Sequence, residues 1–300
     1  MSIKSKHHPA KFTFLYLLSL ASLVMVALGV GMIVFEFINK YVPDFLSYSY
    51  QGNFSDAQVK FAFSALLISA PIYFVCSYFL EKNLKKGNLS LSASLRKWLL
   101  YLIIFTASVV IMGWLIGLLN NFLDGELSLR FALKALTAIV ISALVLSFYI
   151  FEIKRTQTQI TPLSFKIYGI IFIAVTLTAL VLSLLIMESP QKARQNKLDN
   201  LILNNFNQIS IAVDSYYSEK GELPDSLEAL DQKFLGPKQL LDPQTQEPFG
   251  YRVIDKDSYE LCANFRTNTE NDADSLRFNY RDEHKAGWQC LEREVVPMKP

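Results

Sequence analysis

Few residues in this 300-residue sequence combine the side-chain type and the spacing that chemistry needs. In "LDGELSLRFALKAL", Glu126, Arg130 and Lys134 recur every four residues, which on a helix places one acid and two bases on a single face. Such a trio could form an interface for a ligand or a lipid headgroup. The plainer reading, a Glu126–Arg130 pair with Lys134 snorkelling outward one turn deeper, is preferred. In "NTENDADS", Glu270, Asp272 and Asp274 offer oxygen ligands of the kind that calcium takes, without the spacing of an EF-hand loop. Acidic solvated loops are common, so no metal is assigned there. His284 stands beside Asp282 and Glu283 with no nucleophile context such as Gly-x-Ser-x-Gly, and reads as a solvated histidine. His7 and His8 likewise need no metal. No cofactor motif is present, and the chain is expected not to be an enzyme.

Cysteine chemistry depends on where each cysteine sits, and that is set by hydropathy. Five stretches carry almost no charge: about Phe12 to Phe35, Phe61 to Leu80, Trp98 to Leu119, Ala132 to Phe151 and Ile167 to Met187. Each has roughly 20 residues, enough as a helix to span a hydrocarbon core of about 30 Å. All five are read as transmembrane helices. The first is longer than a secretory signal core and four more follow it, so it is read as an uncleaved span rather than a signal peptide.

Lysine and arginine orient the bundle. Lys4, Lys6 and Lys11 precede the first span; Lys82, Lys85, Lys86, Arg96 and Lys97 lie between the second and third; Lys154, Arg155 and Lys166 lie between the fourth and fifth. The opposite loops hold only Lys40 and Lys60, then Arg130 with Lys134 at the mouth of span four. The basic side is therefore read as cytoplasmic, with the N-terminus inside and everything after Met187 outside. Within the spans, ionisable residues that would mark a transport path are read as nearly absent. Pro71 is expected to kink span two. The small-residue pairs Ala27 with Gly31 and Gly113 with Gly117 are read as close helix contacts.

The net charge of +2 hides a split. Residues 1–187 hold 15 Lys and Arg against 7 Asp and Glu, whereas residues 188–300 hold 14 against 20. An acidic exported part gives no reason to expect nucleic acid as a partner. It does allow a disulfide. Cys76 lies inside span two, but Cys262 and Cys290 both fall in the exported part, where such a bond persists. Closing a loop of about 28 residues would contribute roughly 3 kcal/mol. A metal pair is the weaker alternative, since no clustered histidine or CxxC accompanies the two sulfurs.

Within the membrane part, "INKYVPD" (38–44), "SLRKWLLYLIIF" (94–105) and "NNFLDGELSLRFALKAL" (120–136) resemble a bacterial membrane-domain family, domain of unknown function 5671, over about residues 11–155. The resemblance implies a four-span architecture and brings no activity.

Beyond Met187, Leu198, Leu201, Ile202, Phe206, Ile209, Val213 and Tyr216 follow the spacing of an amphipathic helix. Ser189 and Pro190 can start that helix and Gly221 can stop it. "LPDSLEALDQ" reads as a short helix capped by Asp225 or Ser226. "YRVI" and "YELCANF", separated by Asp255, Lys256 and Asp257, read as a hairpin, with "GWQCLE" as a third strand. A Cys262–Cys290 bridge would fasten that strand to the hairpin. The order of elements, with "YYSEKGELPDSLEAL" (216–230) and "LDPQTQEPFGYRV" (241–253), resembles the C-terminal half of type II secretion pseudopilins. The chain departs from that family in that the comparable span is the fifth and lacks the processing motif and glutamate that start the pseudopilin span, so pilus assembly is not implied.

The fold class expected is an α-helical membrane bundle of five transmembrane helices plus a small α+β exported domain. Its parts are a cytoplasmic N-terminus (1–11), a four-span domain (12–155), a cytoplasmic loop with the fifth span (156–190) and the exported domain (191–300). The expected role is a cell-envelope protein of the cytoplasmic membrane that displays an interaction domain to a protein or cell-wall partner. The alternative is a subunit associated with transport or a channel.

Overall fold

The five apolar stretches fold as five long helices: α1 (Pro9–Tyr41), α2 (Asp56–Lys85), α3 (Ser94–Leu123), α4 (Leu129–Lys154) and α5 (Leu163–Ile186). The computed structural model describes residues 9–43, 54–86, 94–155, 163–230, 235–269 and 283–296. The chain divides into two units, Met1–Met187 and Glu188–Pro300. All five helices of the first unit are long and apolar enough to cross a membrane, which is compatible with a multi-pass membrane protein. Each outruns its apolar stretch, so charged residues that flank the stretches belong to the helices. Side-chain caps set two of the starts: Ser55 accepts from the Gln58 amide and Ser128 from the Phe131 amide. Pro71 lies inside α2, which continues through it.

In this unit Val26, Val30 and Ile33 of α1 pack with Ala62, Leu66 and Ala70 of α2 and Ala179 of α5. The glycine that permits the approach is Gly29, where an added Cβ would lie 2.8 Å from Leu66 Cγ and 3.3 Å from the Ala62 carbonyl. The small-residue pairs expected from sequence do not serve this contact. A Cβ on Gly31 would meet only Ile141, at 3.9 Å, and one on Gly113 nothing within 4 Å, whereas one on Gly117 would lie 3.4 Å from Phe131 of α4, so that member of the second pair does border a neighbouring helix. Spacing alone marks many small residues in apolar helices, and the neighbour decides which one matters. Large apolar side chains such as Phe105, Leu115, Ile170 and Leu185 face outward, as they would toward lipid.

The second unit begins with α6 (Pro190–Lys220), started by Ser189, whose side chain accepts from the Lys192 amide, and stopped by Gly221 in the left-handed conformation at φ 77°. Two 3₁₀ turns follow, Leu227–Ala229 and Pro237–Leu240. The first replaces the expected short helix: the Ser226 hydroxyl bonds the Glu228 carboxylate instead of capping. An antiparallel sheet completes the unit in the order β1 (Gly250–Val253), β2 (Ser258–Phe265) and β3 (Gly287–Glu294). Tyr259, Leu261, Ala263 and Phe265 alternate onto one face of β2 and are buried with Ile202, Phe206, Ile209 and Val213 of α6. Leu201, expected on the buried stripe, is exposed.

Candidate functional site

One end of the helical bundle gathers the N-terminal parts of α1, α3 and α5 with the C-terminal parts of α2 and α4, and it buries charge. Glu81 on α2 accepts both terminal nitrogens of Arg155, at 2.7 and 2.8 Å. Arg96 on α3 donates to Glu152 Oε1 on α4 at 2.5 Å and to the Glu152 carbonyl at 3.3 Å. Glu152 and Arg155 approach to 3.7 Å, which joins the two pairs into one network. Their side chains are 3–12% exposed, so partner geometry, not solvent, stabilises these charges. Bidentate Arg–carboxylate pairing suits such a place because both carboxylate oxygens are satisfied at once.

Glu81, Arg96 and Glu152 border a cavity of about 870 Å³, within the size range of ligand sites. Its polar surface includes Tyr16, Ser19, Tyr73, Ser77 and Tyr149. The Tyr73 hydroxyl interacts with those of Tyr149 and Ser77. Leu20, Phe74, Leu100, Ile103, Phe148 and Phe172 supply the apolar walls. Exposed Lys82, Lys85, Lys86 and Lys166 complete the lining.

The expectation that ionisable residues are nearly absent from the bundle is corrected here. Glu81, Arg96, Glu152 and Arg155 fall just outside the apolar stretches, and Arg96 and Arg155 had served only to orient the loops. The usable signal was pairing: Glu152 stands three residues before Arg155, within one helical turn, and Glu81 ends a span on the same side of the bundle as the basic loops. At the opposite end, Glu36 is buried and accepts the Ser55 amide at 2.7 Å, and Lys40 donates to the Ile186 carbonyl at 3.1 Å.

The sequence-derived trio sits at that opposite end but does not share a helix face. Glu126 is exposed in the turn that precedes the cap Ser128, outside α4. Arg130 instead clamps the Val42 carbonyl through Nε at 3.0 Å and Nη2 at 2.7 Å. Lys134 is half-buried in α4. Glu270, Asp272 and Asp274 lie outside the described residues.

In the second unit, Cys262 and Cys290 are bonded and face each other directly across β2 and β3. The Glu260 carboxylate lies near both sulfurs, but sulfurs shared in a disulfide offer no thiolate to a metal. Glu260 is engaged by Arg252 across the strands. His284 is not solvated as expected. It is 3% exposed, stacks on Phe265 with ring centroids 4.0 Å apart, and places Nε2 3.9 Å from Asp199 Oδ2.

Asp199, buried on α6, was missed although it stands three residues before Ile202 and seven before Phe206, in register with the core stripe. It accepts the Arg266 amide at 3.0 Å, and the Thr267 amide and hydroxyl at 2.8 and 2.7 Å. Burial pushes its carboxyl up, but the adjacent His284 ring and the bonds from the Thr267 hydroxyl and the two amides outweigh that and hold it below the usual carboxylate range. Asp242 is treated alike. Burial opposes its ionisation, whereas the Thr245 and Gln244 amides and the Arg266 guanidinium lower it overall. The turn at Asp242–Pro243 is thus tied to the end of β2.

Residues 13–149 match the family model described as Domain of unknown function (DUF5671). The matched segment covers α1 to α3 and most of α4, and so contains Glu81 and Arg96 but stops short of Glu152 and Arg155. No curated protein and no solved structure matches the chain.

Proposed function

We propose that this chain is a multi-pass protein of the cytoplasmic membrane, with its N-terminus inside, whose bundle presents residues 188–300 outside for binding a protein or cell-wall component. The observation that carries the reading is the Cys262–Cys290 bond, because a structural disulfide belongs in an oxidising compartment. The bias of lysine and arginine toward one set of loops supports the same orientation. A pseudopilin-like domain is favoured by the order of long helix, glycine stop, Asp-Pro turn and antiparallel sheet. The role is binding rather than catalysis.

A second reading, a subunit associated with transport or a channel, is favoured by one observation: buried charges beside a cavity inside the bundle are the feature expected of a path for solutes.

A reporter active only outside the cytoplasm, fused after Met187, is expected to be active. Inactivity there, with activity of a cytoplasmic reporter at the same position, overturns the orientation. Deleting residues 191–300 should leave the five helices membrane-integrated and abolish crosslinks to the partner. Unchanged crosslinks would move the function into the bundle and favour the second reading.

A further inference from the structure

We propose that the cavity at the charged end of the bundle binds an anionic amphiphile, a phosphate headgroup carried on an alkyl chain. Two features of the cavity, independent of the orientation of the protein, lead to this ligand. The first is its division of chemistry. Walls of Leu20, Phe74, Leu100, Ile103, Phe148 and Phe172 offer nothing to a polar solute but suit a hydrocarbon chain.

The second is charge. The lining holds five cationic side chains against two carboxylates, and both carboxylates, Glu81 and Glu152, are already engaged by arginines. The lining is therefore net positive, and Lys82, Lys86 and Lys166 are exposed on it from α2, the turn that ends α2, and α5. Ammonium groups arriving from separate helices match a headgroup with several anionic oxygens, because each oxygen can accept a charge-assisted bond from a different direction. A neutral amphiphile would leave that charge unanswered. A free anion would leave the apolar walls unfilled.

The test uses the full-length protein purified in dodecyl maltoside, a neutral detergent, and titrated with dodecyl phosphate. Native mass spectrometry should report one dodecyl phosphate retained per chain. The triple variant Lys82→Gln, Lys86→Gln, Lys166→Gln should weaken retention at least about tenfold, since each removes an electrostatic contribution. Ile103→Trp, which fills the apolar part and leaves the lysines in place, should weaken it as well. Inorganic phosphate at the same concentration should not displace the amphiphile. Equal retention by wild type and the lysine variant would mean that dodecyl phosphate merely enters the detergent belt, and the proposal fails. Displacement by inorganic phosphate would mean a site for the free anion, and the amphiphile is again excluded. Helicity and elution volume establish that each variant is folded; if Ile103→Trp is not, the exposed lysine substitutions decide alone.

Discussion

Glu81 and Glu152 in the bundle and Asp199 in the C-terminal unit are buried by different means. In the bundle, Glu81 and Glu152 each depend on an arginine at a helix end, Arg155 and Arg96, so an ion answers an ion. In the C-terminal unit, Asp199 is answered chiefly by two consecutive backbone amides and a hydroxyl at the end of β2. The difference follows from what each fold has to spare. Helices satisfy their own amides internally except in the first turn, so a carboxylate between helices finds a side-chain partner, as Glu81 and Glu152 do, or a free amide at a helix start, as Glu36 does at Ser55. A strand that ends opposite a helix leaves amides free to bind one. Ion pairs between helices should therefore fail abruptly when one member is lost, and backbone-held carboxylates more gently.

The largest effect is expected in the bundle. Arg155→Leu strands the Glu81 carboxylate in a nearly dry site, at a cost of about 3 kcal/mol or more. Glu81→Leu combined with Arg155→Leu should recover most of that loss, because an apolar pair of similar bulk carries no desolvation penalty. The check is thermal unfolding of the full chain in detergent. A double variant as unstable as Arg155→Leu alone would mean that the arginine acts through something other than its pair with Glu81.

How much of this was readable beforehand depends on whether the signal is local. The helices, the hairpin around Asp255–Asp257 and the Gly221 stop rest on periodicity and turn residues, which act within a short span of chain, and the Cys262–Cys290 bond on the placement of both cysteines beyond the last apolar stretch. The charged network rests on four residues from three helices and their ends. Windows of apolar residues stop short of each of them, so hydropathy keeps the apolar walls of the cavity and discards the charges beside it. Asp199 was hidden for a related reason: an acid on an amphipathic helix looks solvated unless its register with Ile202 and Phe206 is counted. The spacing of Glu126, Arg130 and Lys134 misled because Ser128 starts the helix after Glu126. A regular interval in sequence becomes a shared face only where the helix exists.

The middle-sized effect separates the units outright. Reduction, or Cys262→Ser with Cys290→Ser, should destabilise the C-terminal unit by about 3 kcal/mol, since the bond closes a loop of 28 residues. The bundle contains neither cysteine and should be untouched. Hydrogen exchange measured with and without reductant reads both units in one sample: protection should fall across β2 and β3 and stay unchanged in α1 to α5. A loss of protection shared by the helices would show that the two units do not unfold independently.

The smallest effect probes the gentler mode of holding charge. Asp199→Asn keeps the shape and one acceptor oxygen but removes the charge, and should cost about 1–3 kcal/mol. The amides of Arg266 and Thr267, which donate to this carboxylate, should exchange faster than in the parent. Acidity offers a second approach to the same residue. The carboxyls of Asp199 and Asp242 are held below the ordinary value of 3.8. The unfolded chain therefore takes up protons that the folded domain refuses. This contribution is fully present above about pH 3.8 and is lost as pH falls through the lower folded values. The phenol of Tyr251 sets the opposite edge. Burial, then the neighbouring Tyr259, pushes it from 10.0 up to about 12, so its contribution is present below pH 10 and lost as pH rises toward 12. Asp199→Asn should flatten the acid edge and leave the alkaline edge in place. An acid edge equally steep in the variant would assign it to Asp242 and its Arg266 partner, and the amide clamp on Asp199 would then be a matter of geometry rather than of charge.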